Sequence, residues 1–410
     1  MVSRETLCSM ALCMMFPYRY GVIRQLYERV GSSADIVDHA ADLRSVVPDL
    51  NPNSFSIDSA RLAECLKMAE REAECAEKGG VQCISIDQPT YPARLREVCP
   101  DAPLVLYFRG VANLNASHII SVVGTRNSTA YGHDMVDNIC GELAHFFPDM
   151  LVVSGLAYGT DINAHRAALD NGLSTVGVLA HGLDKIYPSS HRTVAERMIN
   201  AGGLLTEFPR DTKIENYNFL RRNRIIAGMA EATLVIESKE KGGALATARI
   251  ANEYSLTVMA CPGRAVDEAS QGCNKLIQNN SAAMLTCAAD VVEALGWDTD
   301  RKAEGYQPSL FDVEMTAEER VIYDTLDTVG KDISYVIAHS GQPVNVVMSV
   351  LSELEFVAWC GSCQVPNGAD WPETSSLYRY CILMYSLFSL CWISYWYNKC
   401  VYFSLSSVSC

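Results

Sequence analysis

The chain reads as an α/β protein built on a doubly wound parallel sheet, and three features of its sequence carry that reading. Two short apolar runs each end in a glycine turn and pass into a helical pattern. One is Ser121-Val122-Val123-Gly124-Thr125-Arg126; the other is Leu151-Val152-Val153-Ser154-Gly155, continuing through Gly159 to Asp161. Strand, turn and helix twice over form the repeating unit of such a sheet. Further apolar runs at 175–179, 203–205, 233–236 and 257–260 recur at roughly 25–30-residue intervals, with helical patterns between them. That alternation marks a parallel sheet covered on both faces. Finally, glycine turns and basic residues collect just after these runs, where an open α/β sheet places its ligand.

At 410 residues the chain exceeds one ordinary domain, and 49% apolar with 20% charged residues supplies a sizeable core. A net charge of −15 argues against a uniformly basic nucleic-acid-binding coat but leaves room for a local basic groove. Sixteen scattered cysteines, with no signal-peptide pattern ahead of them, read as reduced, mostly buried thiols of a cytoplasmic protein. Cys360-Gly-Ser-Cys363 lacks the second pair or histidines that zinc requires, so no metal is expected.

Taken in order, residues 1–80 read as a module of short helices over 5–16, 21–30, 33–41 and 57–78. Residues 81–297 read as the sheet domain, which opens with strand-like runs at 81–86 and 103–110. A charged, Gly- and Pro-bearing linker occupies 298–315. Residues 316–358 suggest three short helices, at 316–326, 333–339 and 343–355, resembling a helix-turn-helix core. The composition changes sharply over residues 359–410. There, Tyr380 to Asn398 is nineteen residues without a charge, close to the lower limit for a membrane span. Its Tyr, Trp, Ser and Cys show neither helical nor strand period. The preferred reading is an aberrant, out-of-frame tail, with a membrane anchor as the alternative.

Four clusters carry the chemistry. Gly124-Thr125-Arg126 and Ser154-Gly155 follow the first two strands, the latter with Asp161 as expected helix N-cap and His165 one turn on. Arg221-Arg222-Asn223-Arg224 precedes the run at 233, and Lys241-Gly242-Gly243 opens a helix. Backbone N–H groups at a helix start favour an anion, and arginine's fork suits phosphate. Several phosphates in a row fit these clusters better than one small anion. Glu207 and Glu237 follow strand ends and are candidate acids, while His165 reads as a packed core histidine. The dinucleotide fingerprint, the P-loop and the nucleophile elbow are all missing, so the expectation is binding without a catalytic residue or cofactor.

These residues resemble the DNA-processing protein A (DprA/Smf) family. The resemblance rests on Val122-Val123-Gly124-Thr125-Arg126, the run Ser154 to His165, Tyr187-Pro188, Arg222-Asn223-Arg224-Ile225-Ile226-Ala227-Gly228, Lys241 to Ala248 and Cys261-Pro262-Gly263. The motifs stand in the family's order and span roughly 90–297. The resemblance implies an extended Rossmann-like parallel sheet core, with a small N-terminal helical domain and a C-terminal winged-helix-like segment that lacks its wing here. It implies a homodimer that binds and protects incoming single-stranded DNA and loads the RecA recombinase in natural transformation, without turnover. On this chain, Gly124 and Arg126 would hold backbone phosphate, Ser154-Gly155 would line the groove, and Arg222 and Arg224 would extend a basic track. Ser189 follows Tyr187-Pro188 where a lysine often stands, leaving Lys185 as the nearest substitute. The alternative is a Rossmann-like protein that binds small nucleotides or cleaves nucleoside monophosphates. The turns at Lys241 and Cys261 lack the Pro-Gly-Gly-x-Gly-Thr sequence of those hydrolases, and Glu253 is off their spacing. A third reading, compatible with the first, is a scaffold that recruits recombinase through an acidic surface.

Overall fold

The computed structural model describes residues 2–48, 57–298, 321–322, 325 and 333–351. The chain divides into two compact units, Met1–Gly305 and Tyr306–Cys410. In the first, the described residues form one nine-stranded sheet: β1 (Gln82–Ser85), β2 (Val105–Gly110), β3 (Ile119–Val123), β4 (Leu151–Ser154), β5 (Ser174–Val178), β6 (Gly203–Thr206), β7 (Ala232–Val235), β8 (Thr257–Ala260) and β9 (Ala283–Met284). Their spatial order is β1-β2-β6-β5-β4-β3-β7-β8-β9. From β6 to β9 all neighbours are parallel; β2 lies antiparallel on β6, and β1 antiparallel on β2.

From β3 the chain builds outward through β4, β5 and β6, then returns to lay β7, β8 and β9 on the other side. The reversal between β3 and β7 is a topological switch point, where the loops leaving adjacent strands diverge and open a crevice.

Every residue of β3 is buried because both faces of the sheet are covered. Ile119 and Val123 join a core with Ile225 and Ile226 of α9 (Asn216–Met229) and Ala248 and Ala251 of α10 (Ala244–Glu253). Ile120 and Val122 face the other way, against Val136 and Ile139 of α6 (Ala130–Phe146) and Ala164 and Ala168 of α7 (Thr160–Asp170). Period-two alternation with two apolar faces is what a doubly covered strand requires.

The expected boundary near residue 80 is not a boundary between cores. Met10 and Leu12 of α1 (Arg4–Met15), Ile23 of α2 (Tyr20–Val30) and Leu62 of α4 (Ser59–Lys78) share one core with Leu106, Val153 and Ile225. The antiparallel pair β1–β2 widens the sheet, and these helices cover the apolar face that it adds.

In the second unit, Ile322, Val336 of α13 (Ile333–Ser340), Val347 and Val350 pack together. Residues 344–351 are helical, with Val347 and Val350 buried and Val344 and Met348 exposed. Most of the expected helix from Thr316, with only residues 321, 322 and 325 described, most of the linker, the Cys360–Cys363 pair and the tail 359–410 lie outside the described residues.

Candidate functional site

A cleft of about 370 Å³ opens at the carboxyl ends of β3 and β7, at the switch point. Nine residues singled out from the sequence line it: Gly124, Thr125, Arg126, Asp161, Arg222, Asn223, Lys241, Gly242 and Gly243. The Lys241-Gly242-Gly243 turn leads into α10 with Gly243 as N-cap and no capping side chain; the Gly242, Leu245 and Ala246 N–H groups donate to the carbonyls of Lys239, Gly242 and Gly243, and the positive end of the helix dipole faces the cleft. Arg126 is exposed, and its guanidinium lies 5.8 Å from the ring centre of Phe219. Among the described residues it has no ion-pair partner.

Close backbone packing fixes the turn after β3. Gly159, at φ +75°, precedes α7, and a Cβ there would fall 2.6 Å from the Arg126 carbonyl group. Thr160 donates its N–H to the carbonyl of Thr125 at 3.1 Å. Gly124 faces the Thr160 side chain where a Cβ would clash. Only glycine meets both demands at Gly159, a left-handed backbone and no side chain.

The cleft floor holds two buried opposite charges, Arg222 and Asp161. A Cβ on Gly155 would lie 2.5–2.6 Å from the Arg222 guanidinium nitrogens and the Asp161 carboxylate, so this glycine makes the space in which the two groups face each other. Arg222 donates to the carbonyls of Gly155, at 2.8 Å, and Val178, and among the described residues its Nε has no partner. Burial pulls its pKa down to about 10, with Asp161 acting against that fall and Arg126 adding to it. Burial raises the pKa of Asp161, and Arg222 opposes the shift. Asp161 is not the N-cap of α7, which is Gly159; its carboxylate instead accepts from the Ala157 N–H at 3.3 Å.

Five residues expected in the groove do not line it. Ser154 is fully buried and donates to the Val122 carbonyl at 2.6 Å, tying β4 to β3. Gly155 shapes the floor from beneath. Lys185 lies away from the cleft, 3.7 Å from Asp184. Arg221 points toward the N-terminal helices, its guanidinium 4.7 Å from the Tyr18 ring and 4.5 Å from that of Tyr20. Arg224 is buried against Glu207 and Asp101. Burial disfavours its charge, but the two carboxylates more than reverse this and hold its pKa well above the usual arginine value. Arg224 therefore extends no basic track. Adjacent helical residues project about 100° apart, so a run of arginines on α9 is divided between opposite sides.

The candidate acids are structural. Glu207 takes both Arg224 and Arg221, while Glu237 accepts the N–H and hydroxyl of Thr129 and the hydroxyl of Ser128 at the start of α6. His165 is fully buried, with Nδ1 2.7 Å from the Thr175 hydroxyl, and its pKa falls to about 3 through burial and the neighbouring positive charge of Arg222.

Sequence reasoning missed Phe219 and Leu220, which line the cleft from α9. The available signal was spacing, because Phe219 stands three and four residues before Arg222 and Asn223 and so shares their face.

The sequence of the sheet domain matches the family model for DNA recombination-mediator protein A over residues 82–296. The chain belongs to this family, DprA/Smf. It is 38% identical over 217 residues to the DNA processing protein DprA of Bacillus subtilis, covering 53% of this chain and 72% of that one. Protein Smf of Escherichia coli is 35% identical over 295 residues, covering 70% and 76%. The X-ray structure of DNA processing protein A from Streptococcus pneumoniae superposes with a TM-score of 0.56 at 30% identity, covering 67% of this chain and 94% of that one. The matched region of this DprA/Smf chain contains the whole cleft. Among the described residues, no helix is long and apolar enough to cross a membrane.

Proposed function

We propose that this chain is a cytoplasmic single-stranded DNA-binding protein of the DprA type, whose switch-point cleft holds consecutive backbone phosphates. The observation that carries the reading is the convergence of exposed Arg126, exposed Lys241 and the uncapped start of α10 on one cleft walled by Phe219. Non-specific strand binding needs this combination of phosphate contacts and apolar or aromatic surface. In this reading the protein shields incoming strands as a homodimer and passes them to the RecA recombinase, as family membership implies. Binding without turnover is supported by the engagement of Glu207 and Glu237, the candidate acids, in structural hydrogen bonds.

The test is fluorescence anisotropy of a labelled single-stranded oligonucleotide with the full chain, across salt, with duplex and nucleoside monophosphate as competitors. Salt-sensitive binding that prefers single strands and ignores the monophosphate supports the proposal. Failure to bind strands, with binding or cleavage of the monophosphate, would move the protein to the small-nucleotide class.

A further inference from the structure

Beside the cleft, α9 carries a second exposed surface. Leu220 lines the cleft and is 55% exposed; Tyr217, three residues earlier, is 56% exposed. Residues three apart are neighbours on a helix surface, so Tyr217 continues the cleft wall by one turn. Tyr18, in the turn between α1 and α2, meets Tyr217 edge to face with ring centres 5.8 Å apart and is itself 55% exposed. Its backbone stands at φ +69°, a conformation that non-glycine residues rarely adopt and that is found at ligand-contacting positions more than elsewhere. Arg221 supports both rings, its guanidinium 4.7 Å from the Tyr18 centre and 5.8 Å from that of Tyr217. This use of two large aromatic rings leaves half of each in water, which neither core packing nor the Arg221 contact requires.

We propose that Tyr217 and Tyr18 form a base-stacking extension of the cleft, over which the single strand leaves toward the N-terminal helices. The occupant follows from two features: the surface is continuous with the cleft through Leu220, and half-exposed rings held in place by a guanidinium, whose charge also favours the strand backbone, offer faces on which bases of any sequence can stack. This inference rests on the strand-binding reading of the cleft. It also gives the N-terminal helices a direct part in binding.

The experiment uses the full chain and oligothymidylates spanning about 4 to 16 nucleotides, the range of strand-binding sites of this kind. The variants are Tyr217→Leu and Tyr18→Leu, which keep apolar bulk but remove the ring, and Tyr217→Phe, which keeps it. The leucine variants should match wild type on the shortest strands and bind the longest about five-fold or more weakly, the loss of one stacked base. Their salt dependence should be unchanged, because stacking releases no counterion. Tyr217→Phe should bind like wild type, and an abasic strand should not distinguish wild type from the leucine variants. Wild-type affinity of the leucine variants at every length would overturn the inference, as would an equal loss at every length. Absence of any strand binding by the wild-type chain would refute the cleft reading itself, and this inference with it.

Discussion

Arg224 closes on Glu207 through two bonds, Nη1 to Oε1 at 2.9 Å and Nη2 to Oε2 at 2.8 Å, with neither side chain more than slightly exposed. Two residues earlier on the same helix, Arg222 faces Asp161 in the cleft floor. The basic run on α9 therefore serves two sides of the first unit. One side locks the helix to the β6 end and the N-terminal helices, and the other forms the cleft.

The lock should show in stability. Arg224→Ala leaves the Glu207 carboxylate buried and deprived of its main partner, which costs about 3–5 kcal/mol. Replacing both partners with apolar residues of similar size, Arg224→Met with Glu207→Leu, should recover only part of that loss, because Arg221 then gives up its own bond to Glu207. Urea unfolding of the single and double variants measures both. A cost below about 1 kcal/mol for Arg224→Ala, the range of surface pairs, would contradict the buried lock.

Gly159 should tolerate no side chain. Alanine there would adopt a left-handed backbone and press on the Arg126 carbonyl, at a cost of about 1–3 kcal/mol. The displaced Thr125–Arg126 turn should also weaken strand binding. Thermal unfolding and anisotropy on Gly159→Ala test the two effects together; an unchanged melting temperature with wild-type affinity would show that the turn is not held this way.

His165 makes a pH-dependent contribution. Its folded pKa of about 3 lies below the ordinary value of 6.5, so the unfolded chain takes up a proton first as pH falls. Its stabilisation is complete above pH 6.5 and is lost between 6.5 and 3, at up to ~1.4 kcal/mol per pH unit. Asp161 acts with the opposite sign, because its raised pKa favours the folded state on acidification. Comparison with His165→Asn, which can keep a bond to Thr175, isolates the histidine. The variant should lose less stability than wild type between pH 6.5 and 4; parallel curves would mean that His165 is protonated in the folded state.

The parallel sheet was legible because β3, β4 and β8 are apolar runs bounded by turns, and a strand covered on both faces needs little else to declare itself. The order of the strands was not legible. Nothing local to β7 says that it returns to pair with β3 and opens the cleft there. Arg126 and the Lys241 turn could be placed because each stands at a strand end or helix start whose geometry is local. Arg221 and Arg224 could not, since their direction depends on Glu207 and on Tyr18 and Tyr20 far away in sequence. Asp161 looked like a cap by residue type, but the positive φ that Gly159 supplies sets the helix start two residues earlier.

The most direct test of the cleft is the salt dependence of single-strand affinity in Arg126→Ala, Lys241→Ala and the Arg224→Met, Glu207→Leu double variant. Each phosphate contact contributes about −0.7 to the slope of log affinity against log salt on single strands. Arg126→Ala and Lys241→Ala should each weaken binding and flatten the slope by about that amount. The double variant, whose charges lie outside the cleft, should keep the wild-type slope. Wild-type slopes in both single variants, or a flattened slope in the double variant alone, would contradict the assignment of the switch-point cleft as the phosphate site.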